Sequence, residues 1–209
     1  MNIALINASP KKAESASGIL LDGLKGLFPT DCDTKIFGIH DPSMPETAIE
    51  ELQRFDAWVF AFPLYVDAVP SHLLSAMRQI ESNKAVDKDI CVYAVVNLGF
   101  YDGQQARNAL AVMENWCVKS RLKWGGGIGF GGGGALASMK NVPLGRGPKT
   151  SLGKVFSAFS EVILSSSSQE NIYASIGLPK FLYKLVAEMG WRHMIKVHGG
   201  NKRDLNKKL

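Results

Sequence analysis

Two segments of the chain, residues 57–62 and 90–96, are apolar without interruption and have the length of strands. Such runs are typical of central strands in a parallel sheet, because helices cover both faces of that sheet. Further strands are predicted at residues 2–6, 34–39 and 124–130, and helices at residues 17–27, 45–54, 70–81, 103–120 and 152–164. This alternation predicts an α/β fold, a three-layer doubly wound sheet of five parallel strands.

Composition narrows the class of protein. The 209 residues, 46% of them hydrophobic, suffice for one domain and an appendage. Cys32, Cys91 and Cys117 are widely separated, and the four histidines form no metal-binding motif, so neither a disulfide framework nor a metal site is predicted. Met1 leads directly into the first predicted strand, and no apolar run approaches the length of a membrane span. We therefore expect a cytoplasmic protein.

The net charge of +5 comes entirely from the C-terminal end. Residues 170–209 carry eight Lys and Arg against three acidic residues, whereas the preceding residues are balanced, so no nucleic-acid partner is expected. The serines at 165–168 predict a boundary between a domain over residues 1–168 and a basic extension over residues 169–209. Residues 178–197 show helical spacing, with a break or a bend expected at Gly190. This helix is expected to pack on the domain or on a second subunit, the alternatives being an anionic membrane surface or an acidic partner.

The first predicted strand runs into a loop rich in hydroxyl groups and cations. Ser9, Lys11, Ser15 and Ser17 all precede the apolar start of a helix. A helix N-terminus presents unpaired backbone N–H groups and a partial positive charge, and serine hydroxyls add further donors. This pattern predicts a phosphate site. The alternative is an ordinary connection with Ser17 as the N-cap of the helix.

Two further loops follow the third and fourth predicted strands. The first holds Tyr65 between Pro63 and Pro70, and the second contains Asn97 and Gly99. Taken singly, the aromatic side chain could cover the end of the sheet and the glycines could form an ordinary turn. The carboxyl ends of parallel strands meet at one edge, where ligands bind beside the point at which strand order reverses. The three loops together therefore predict one ligand site.

These residues resemble a family. Asn-Ala-Ser-Pro-Lys at 7–11 resembles the Asn-Gly-Ser-Pro-Arg phosphate loop of flavodoxin-like NAD(P)H-dependent FMN reductases and quinone reductases, and residues 63–70 resemble their Pro-x-Tyr-x-x-x-x-Pro flavin loop. The resemblance covers about residues 1–165. It implies bound FMN, NAD(P)H as co-substrate, a small-molecule acceptor such as a quinone or a flavin, and a homodimer. It assigns no catalytic acid or base.

Carried over by position, the resemblance implies three groups of cofactor contacts. They are Ser9, Lys11, Ser15, Ala16 and Ser17 at the phosphate, Pro63, Leu64, Tyr65 and Val66 beside the ring, and Asn97, Gly99 and Tyr101 at its polar edge. Two positions depart from the family pattern. Ala8 stands where the family has Gly, and Lys11 replaces Arg, which keeps the charge but loses the bidentate geometry.

Residues 125–134 contain eight glycines and a formal G-x-G-x-x-G at 127–132. A dinucleotide site is not predicted there, because no acidic residue follows about twenty positions later. The tract instead indicates close packing of the backbone or a bulky ligand nearby. The acid-free stretch after it suggests that Arg146 or Lys149 attracts the phosphates of NAD(P)H, the alternative being a solvated basic loop. Pro148 occupies the place where a P-loop needs Gly, so no ATP site is expected.

Two other functions stay open at the level of the sequence. A flavodoxin-type electron carrier is one, although such carriers are usually acidic and this domain is neutral. The other is an interaction protein that keeps the fold without a cofactor, which Ala8 and the glycine tract leave open. Fold alone does not decide among these functions.

Overall fold

A computed structural model describes residues 1–83, 89–201 and 204 of the chain. Strands and helices alternate along it, as the sequence predicts. The strands are β1 (Asn2–Asn7), β2 (Asp33–Gly38), β3 (Ala57–Pro63), β4 (Cys91–Leu98), β5 (Lys123–Gly131) and β6 (Ile172–Ser175). The helices are α1 (Ala16–Lys25), α2 (Glu46–Leu52), α3 (Ser71–Ser82), α4 (Arg107–Lys119), α5 (Thr150–Leu164) and α6 (Lys180–Val197). Within the described part of the chain, no helix is both long and apolar enough to cross a membrane.

All neighbouring strands are parallel, in the order β2-β1-β3-β4-β5-β6. The order reverses between β1 and β3, because the chain adds β2 on one side of β1 and then continues on the other. Helices cover both faces: Phe60 of β3 packs edge-on against Trp116 of α4, and Tyr93 of β4 packs edge-on against Phe159 of α5. The predicted doubly wound α/β fold is confirmed.

The predicted count of five strands is wrong, because β6 pairs with β5 from Ile128↔Ile172 to Gly131↔Ser175. All four residues of β6 are half-buried, and its apolar run, Ile172 to Ala174, is too short to predict a strand. The first compact unit consequently runs to Gly177, beyond the boundary predicted at residue 168.

The second unit begins at Leu178 and contains α6. This helix runs through Gly190 as one continuous element, so of the predicted break or bend there, the break is excluded. None of its residues is buried, and large apolar side chains such as Phe181 and Trp191 are exposed. Four basic residues of the predicted tail lie outside the described residues: Lys202, Arg203, Lys207 and Lys208.

The glycine tract lies within β5 and the turn that follows it. A side chain at Gly131 would overlap the backbone carbonyl of Tyr101, and a Cβ at Gly129 would lie 2.8 Å from Cβ of Ala106. The loop after β4 and the short 3₁₀ turn that follows it thus approach the backbone of β5 so closely that Gly129 and Gly131 leave no room for a side chain. The G-x-G-x-x-G pattern occupies a strand and not the strand-to-helix turn of a dinucleotide site.

Candidate functional site

The loop between β1 and α1 is held in shape by its own polar groups. Oγ of Ser15 accepts a hydrogen bond from the Gly18 N–H at 3.0 Å, so Ser15 and not Ser17 is the N-cap of α1. Asn7 supports the loop, since its Nδ2 donates to Ser15 Oγ at 3.2 Å and its Oδ1 accepts from the Ser9 N–H at 3.2 Å. Asn7 belongs to the motif at 7–11, but the sequence assigned it no role of its own.

Ser9 in this loop and Ser17 in the first turn of α1 are both buried, and the hydroxyl group of each can still donate a hydrogen bond. Ser9 Oγ accepts from the Lys11 N–H at 3.2 Å, and Ser17 Oγ accepts from Nδ2 of Asn97 at 2.9 Å. Among the residues that the structure describes, neither hydroxyl has an acceptor for its own proton. Ala16 opens the first turn of α1, where backbone N–H groups have no partner within the helix. These donors have the chemistry that a phosphate requires.

Ala8 fits where the family pattern has glycine. Its side chain is fully buried, its N–H donates to the Ala61 carbonyl at 2.9 Å, and its φ lies outside the left-handed region, so the turn does not require glycine. Two histidines to which the sequence assigned no role support the same backbone. Nε2 of His72 lies 3.1 Å from the Ala8 carbonyl, and Nδ1 of His40 lies 2.6 Å from the Ser9 carbonyl. No spacing in the sequence links either histidine to the loop.

Asn97, near the end of β4, joins the three predicted loops. Its Nδ2 donates to Ser17 Oγ in the first turn of α1, directly after the first loop, and to the Phe62 carbonyl of β3 at 3.0 Å. Its backbone carbonyl accepts from the Leu64 N–H at 2.8 Å. The switch point of the sheet therefore brings together residues from the ends of β1, β3 and β4.

The loop after β3 makes a tight two-residue turn. Tyr65 and Ala68 exchange backbone hydrogen bonds of 3.2 and 3.0 Å around Val66 and Asp67, both of which have left-handed φ values, 49° and 57°. Left-handed φ at both central residues is the signature of a type I′ turn. Val66 is 99% exposed, and Tyr65 is half exposed. Pro63 and Leu64 are half-buried, so this loop offers a partly open apolar surface.

The loop after β4 contains an exposed Gly99, where an added Cβ would have no atom within 4 Å. Tyr101 is half-buried, and the Phe100 carbonyl accepts from the Gly132 N–H at 2.7 Å, which joins this loop to the turn after β5. Oδ1 of Asp102 accepts from the Gln104 N–H at 3.0 Å and thereby caps a short 3₁₀ turn. Asp102 therefore has a structural role.

The charges around the first loop are mostly positive. Lys12 pairs with Asp41 at 3.4 Å, and Nζ of Lys140 lies 3.0 Å from Oε1 of Glu14. The hydrogen bond and positive charge of Lys140, followed by the charge of Lys11, lower the pKa of Glu14 below its usual value. Lys140 belongs to the acid-free stretch after β5, and no sequence spacing connects it to this loop.

Of the two cations that the sequence suggested in that stretch, Arg146 is exposed and Lys149 is buried beside the start of α5. Loss of solvent around Lys149 lowers the pKa of its ammonium group. Arg146 is therefore the better placed of the two for a ligand arriving from solvent.

No family model and no curated protein matches the sequence. Solved structures do match. A flavodoxin, WrbA-like protein from Agrobacterium tumefaciens is 12% identical with a TM-score of 0.54, over 79% of this chain and 96% of that chain. A flavone reductase is 9% identical with a TM-score of 0.54, over 81% and 66%, and rubredoxin oxygen:oxidoreductase from Desulfovibrio gigas is 9% identical with a TM-score of 0.50, over 79% and 35%. The predicted resemblance is thus confirmed at the level of architecture, and the chain has a flavodoxin-like fold.

Proposed function

We propose that this chain binds FMN at the carboxyl edge of β1, β3 and β4 and acts as an NAD(P)H-dependent oxidoreductase. The observation that carries the proposal is the position of Asn97, which contacts Ser17 in the first turn of α1 and Leu64 in the loop after β3. The flavodoxin-like fold and the structural similarity to a flavone reductase support it. The acceptor is a small molecule of the quinone, flavin, nitro or azo class.

The donor set at the first loop fits the phosphate of FMN. The hydroxyls of Ser9 and Ser17 and the first-turn N–H groups around Ala16 provide neutral donors, and Lys11 adds a charge. Ser15 acts indirectly, because its hydroxyl is used as the N-cap that orients this turn.

The loops after β3 and β4 fit a flat conjugated ring. Pro63, Leu64, Tyr65 and Val66 offer apolar surface on one side, and the open backbone at Gly99 leaves room for a ring edge. Bound FMN supplies the hydride-accepting and electron-donating chemistry. The protein orients the ring and shields part of it from water, so this proposal assigns binding roles and no catalytic acid or base.

We further propose a homodimer in which the apolar side chains of α6 are covered. Exposed residues such as Phe181, Met189 and Trp191 give this helix more apolar surface than a solvated helix ordinarily carries. Light scattering of the purified protein measures the mass in solution, and a monomer at micromolar concentration would contradict this part of the proposal.

The decisive experiment is a visible absorption spectrum of the purified protein, taken before and after addition of FMN and then of NADPH without oxygen. We expect flavin bands that bleach on addition of NADPH and return with a quinone. Bands that persist with both NADPH and NADH would instead indicate an electron carrier. A protein that neither retains nor takes up FMN would refute the flavin assignment.

A further inference from the structure

Three charged side chains meet at the entrance of the loop between β1 and α1. Nζ of Lys140 lies 3.0 Å from Oε1 of Glu14, and Nζ of Lys11 donates to the Glu14 backbone carbonyl at 3.4 Å. Glu14 and Lys140 are 126 residues apart in the sequence. The pair therefore connects the segment after β5 to the loop where we place the phosphate.

The carboxylate of Glu14 is the only anion in this group of three. Lys140 and Lys11 both stabilise its ionised form, which lowers the pKa of Glu14. The arrangement gives Lys140 an anionic oxygen partner that is part of the loop itself. A phosphate monoester would present the same lysine with three acceptor oxygens and up to two negative charges.

The pair between Glu14 and Lys140 is well suited to exchange its partners. The side chains are 72% and 59% exposed, and exposed ion pairs contribute little to stability. Lysine is also a compact charge on a flexible stem, so its ammonium can turn toward a new anion without disturbing the fold. A phosphate on the loop thus competes with the Glu14 carboxylate for one cation.

We propose that Lys140 binds the phosphate of the flavin nucleotide, and that the Glu14 carboxylate holds Lys140 until that phosphate arrives. The inference rests on the proposed FMN function and adds to it the residues that distinguish FMN from riboflavin. Lys140 supplies attraction that only the phosphorylated flavin can use, and Glu14 opposes it.

The test titrates the flavin-free full-length protein with FMN and with riboflavin and follows quenching of flavin fluorescence. Lys140→Ala is expected to raise the Kd for FMN about tenfold, the effect of losing one charge-assisted hydrogen bond, and to leave the Kd for riboflavin unchanged. Glu14→Gln removes the competing anion and is expected to lower the Kd for FMN. Both changes in the Kd for FMN should be smaller in about 0.5 M NaCl, because salt at that concentration screens charges that are more than a few ångströms apart.

The chain offers a closely matched control pair. Lys123 lies 3.0 Å from Asp89, and these side chains are 60% and 86% exposed. Lys123 begins β5, at the end of the strand opposite to the loops of the site. Lys123→Ala and Asp89→Asn should therefore leave the Kd values for both flavins unchanged.

Three results of the flavin titrations would overturn the inference while FMN still binds the wild-type protein. The first is an unchanged Kd for FMN in Lys140→Ala, and the second is an equal loss of FMN and riboflavin binding in that variant. The third is a Kd for FMN in Glu14→Gln that is no lower than that of the wild-type protein at either salt concentration. A change confined to the KM for NADPH relative to NADH would assign Lys140 to the nicotinamide nucleotide and also overturn it. A wild-type protein that binds neither flavin would refute the proposed function itself.

Discussion

The side-chain amide of Asn97 lies 2.9 Å from the hydroxyl of Ser17, so a residue near the end of β4 fixes the first turn of α1. The same amide nitrogen lies 3.0 Å from the Phe62 carbonyl, and all these groups are buried. A buried polar group that loses its partner costs about 1–3 kcal/mol. This single side chain therefore links the stability of the sheet edge to the geometry of the proposed cofactor site.

We predict that Asn97→Ala lowers the free energy of unfolding by about 1–3 kcal/mol and also weakens FMN binding at least tenfold. The control is Asn171→Ala. Oδ1 of Asn171 accepts a hydrogen bond from the Gly127 N–H at 2.9 Å, and this hydrogen bond lies outside the three loops. Asn171→Ala should reduce stability and spare the affinity for FMN. Urea denaturation and flavin titration of both variants separate the two effects, and equal FMN affinity in both would contradict the prediction.

The glycines at and just after the end of β5 provide a second prediction. Gly131→Ala should destabilise the protein by about 1–3 kcal/mol or prevent folding, because the added methyl group overlaps the Tyr101 carbonyl. Gly134→Ala is the matched variant, since its nearest atom, Cα of Gly99, would lie 3.9 Å from the new methyl group. Thermal denaturation compares the two. Similar melting temperatures would show that the backbone of β5 yields more easily than its contacts indicate.

The turn after β3 provides a third prediction. Val66 is a β-branched residue with a left-handed φ of 49°, a conformation that strains such side chains. Val66→Asn should therefore raise the free energy of unfolding by about 1 kcal/mol, which is a few degrees in Tm for a chain of this size. Val118→Asn in α4, exposed at an ordinary helical position, is the control and should bring no such gain. A lower Tm for Val66→Asn would mean that valine makes a contact there that offsets the strain.

The sequence allowed the alternation of strands and helices and the three loops to be predicted, because residues 57–62 and 90–96 are apolar throughout and each loop follows a strand end. It did not allow β6 to be predicted, since an edge strand of four half-buried residues carries no periodic pattern. Contacts such as Lys140 with Glu14 and His72 with Ala8 join residues far apart in the chain. Only the folded backbone brings these pairs together, so no local motif could reveal them.

The basic segment before α5 provides a fourth prediction. Replacing Arg146 and Lys149 together by alanine should raise the KM for NAD(P)H severalfold, because the exposed guanidinium of Arg146 attracts phosphates. Steady-state kinetics with NADPH and NADH measure this effect. Lys149→Ala alone should instead lower Tm, since this side chain is buried. An unchanged KM in the double variant would leave Arg146 as part of a solvated loop.

The end of the first compact unit provides the last prediction. A chain that ends at Gly177 keeps β6, whose Ser175 pairs with Gly131 and whose neighbour Ile176 donates its N–H to the Gly131 carbonyl at 2.9 Å. A chain that ends at Ser168 loses β6 and leaves one edge of β5 without its hydrogen-bonding partner. We therefore expect the chain that ends at Gly177 to retain a cooperative thermal transition and FMN binding. The chain that ends at Ser168 should unfold at a temperature several degrees lower and bind FMN weakly. Circular dichroism and flavin titration on both truncations test this expectation. Because the two chains differ only in residues 169–177, equal stability would show that β6 contributes little to the sheet, whereas loss of folding in both would show that α6 is needed by the first unit.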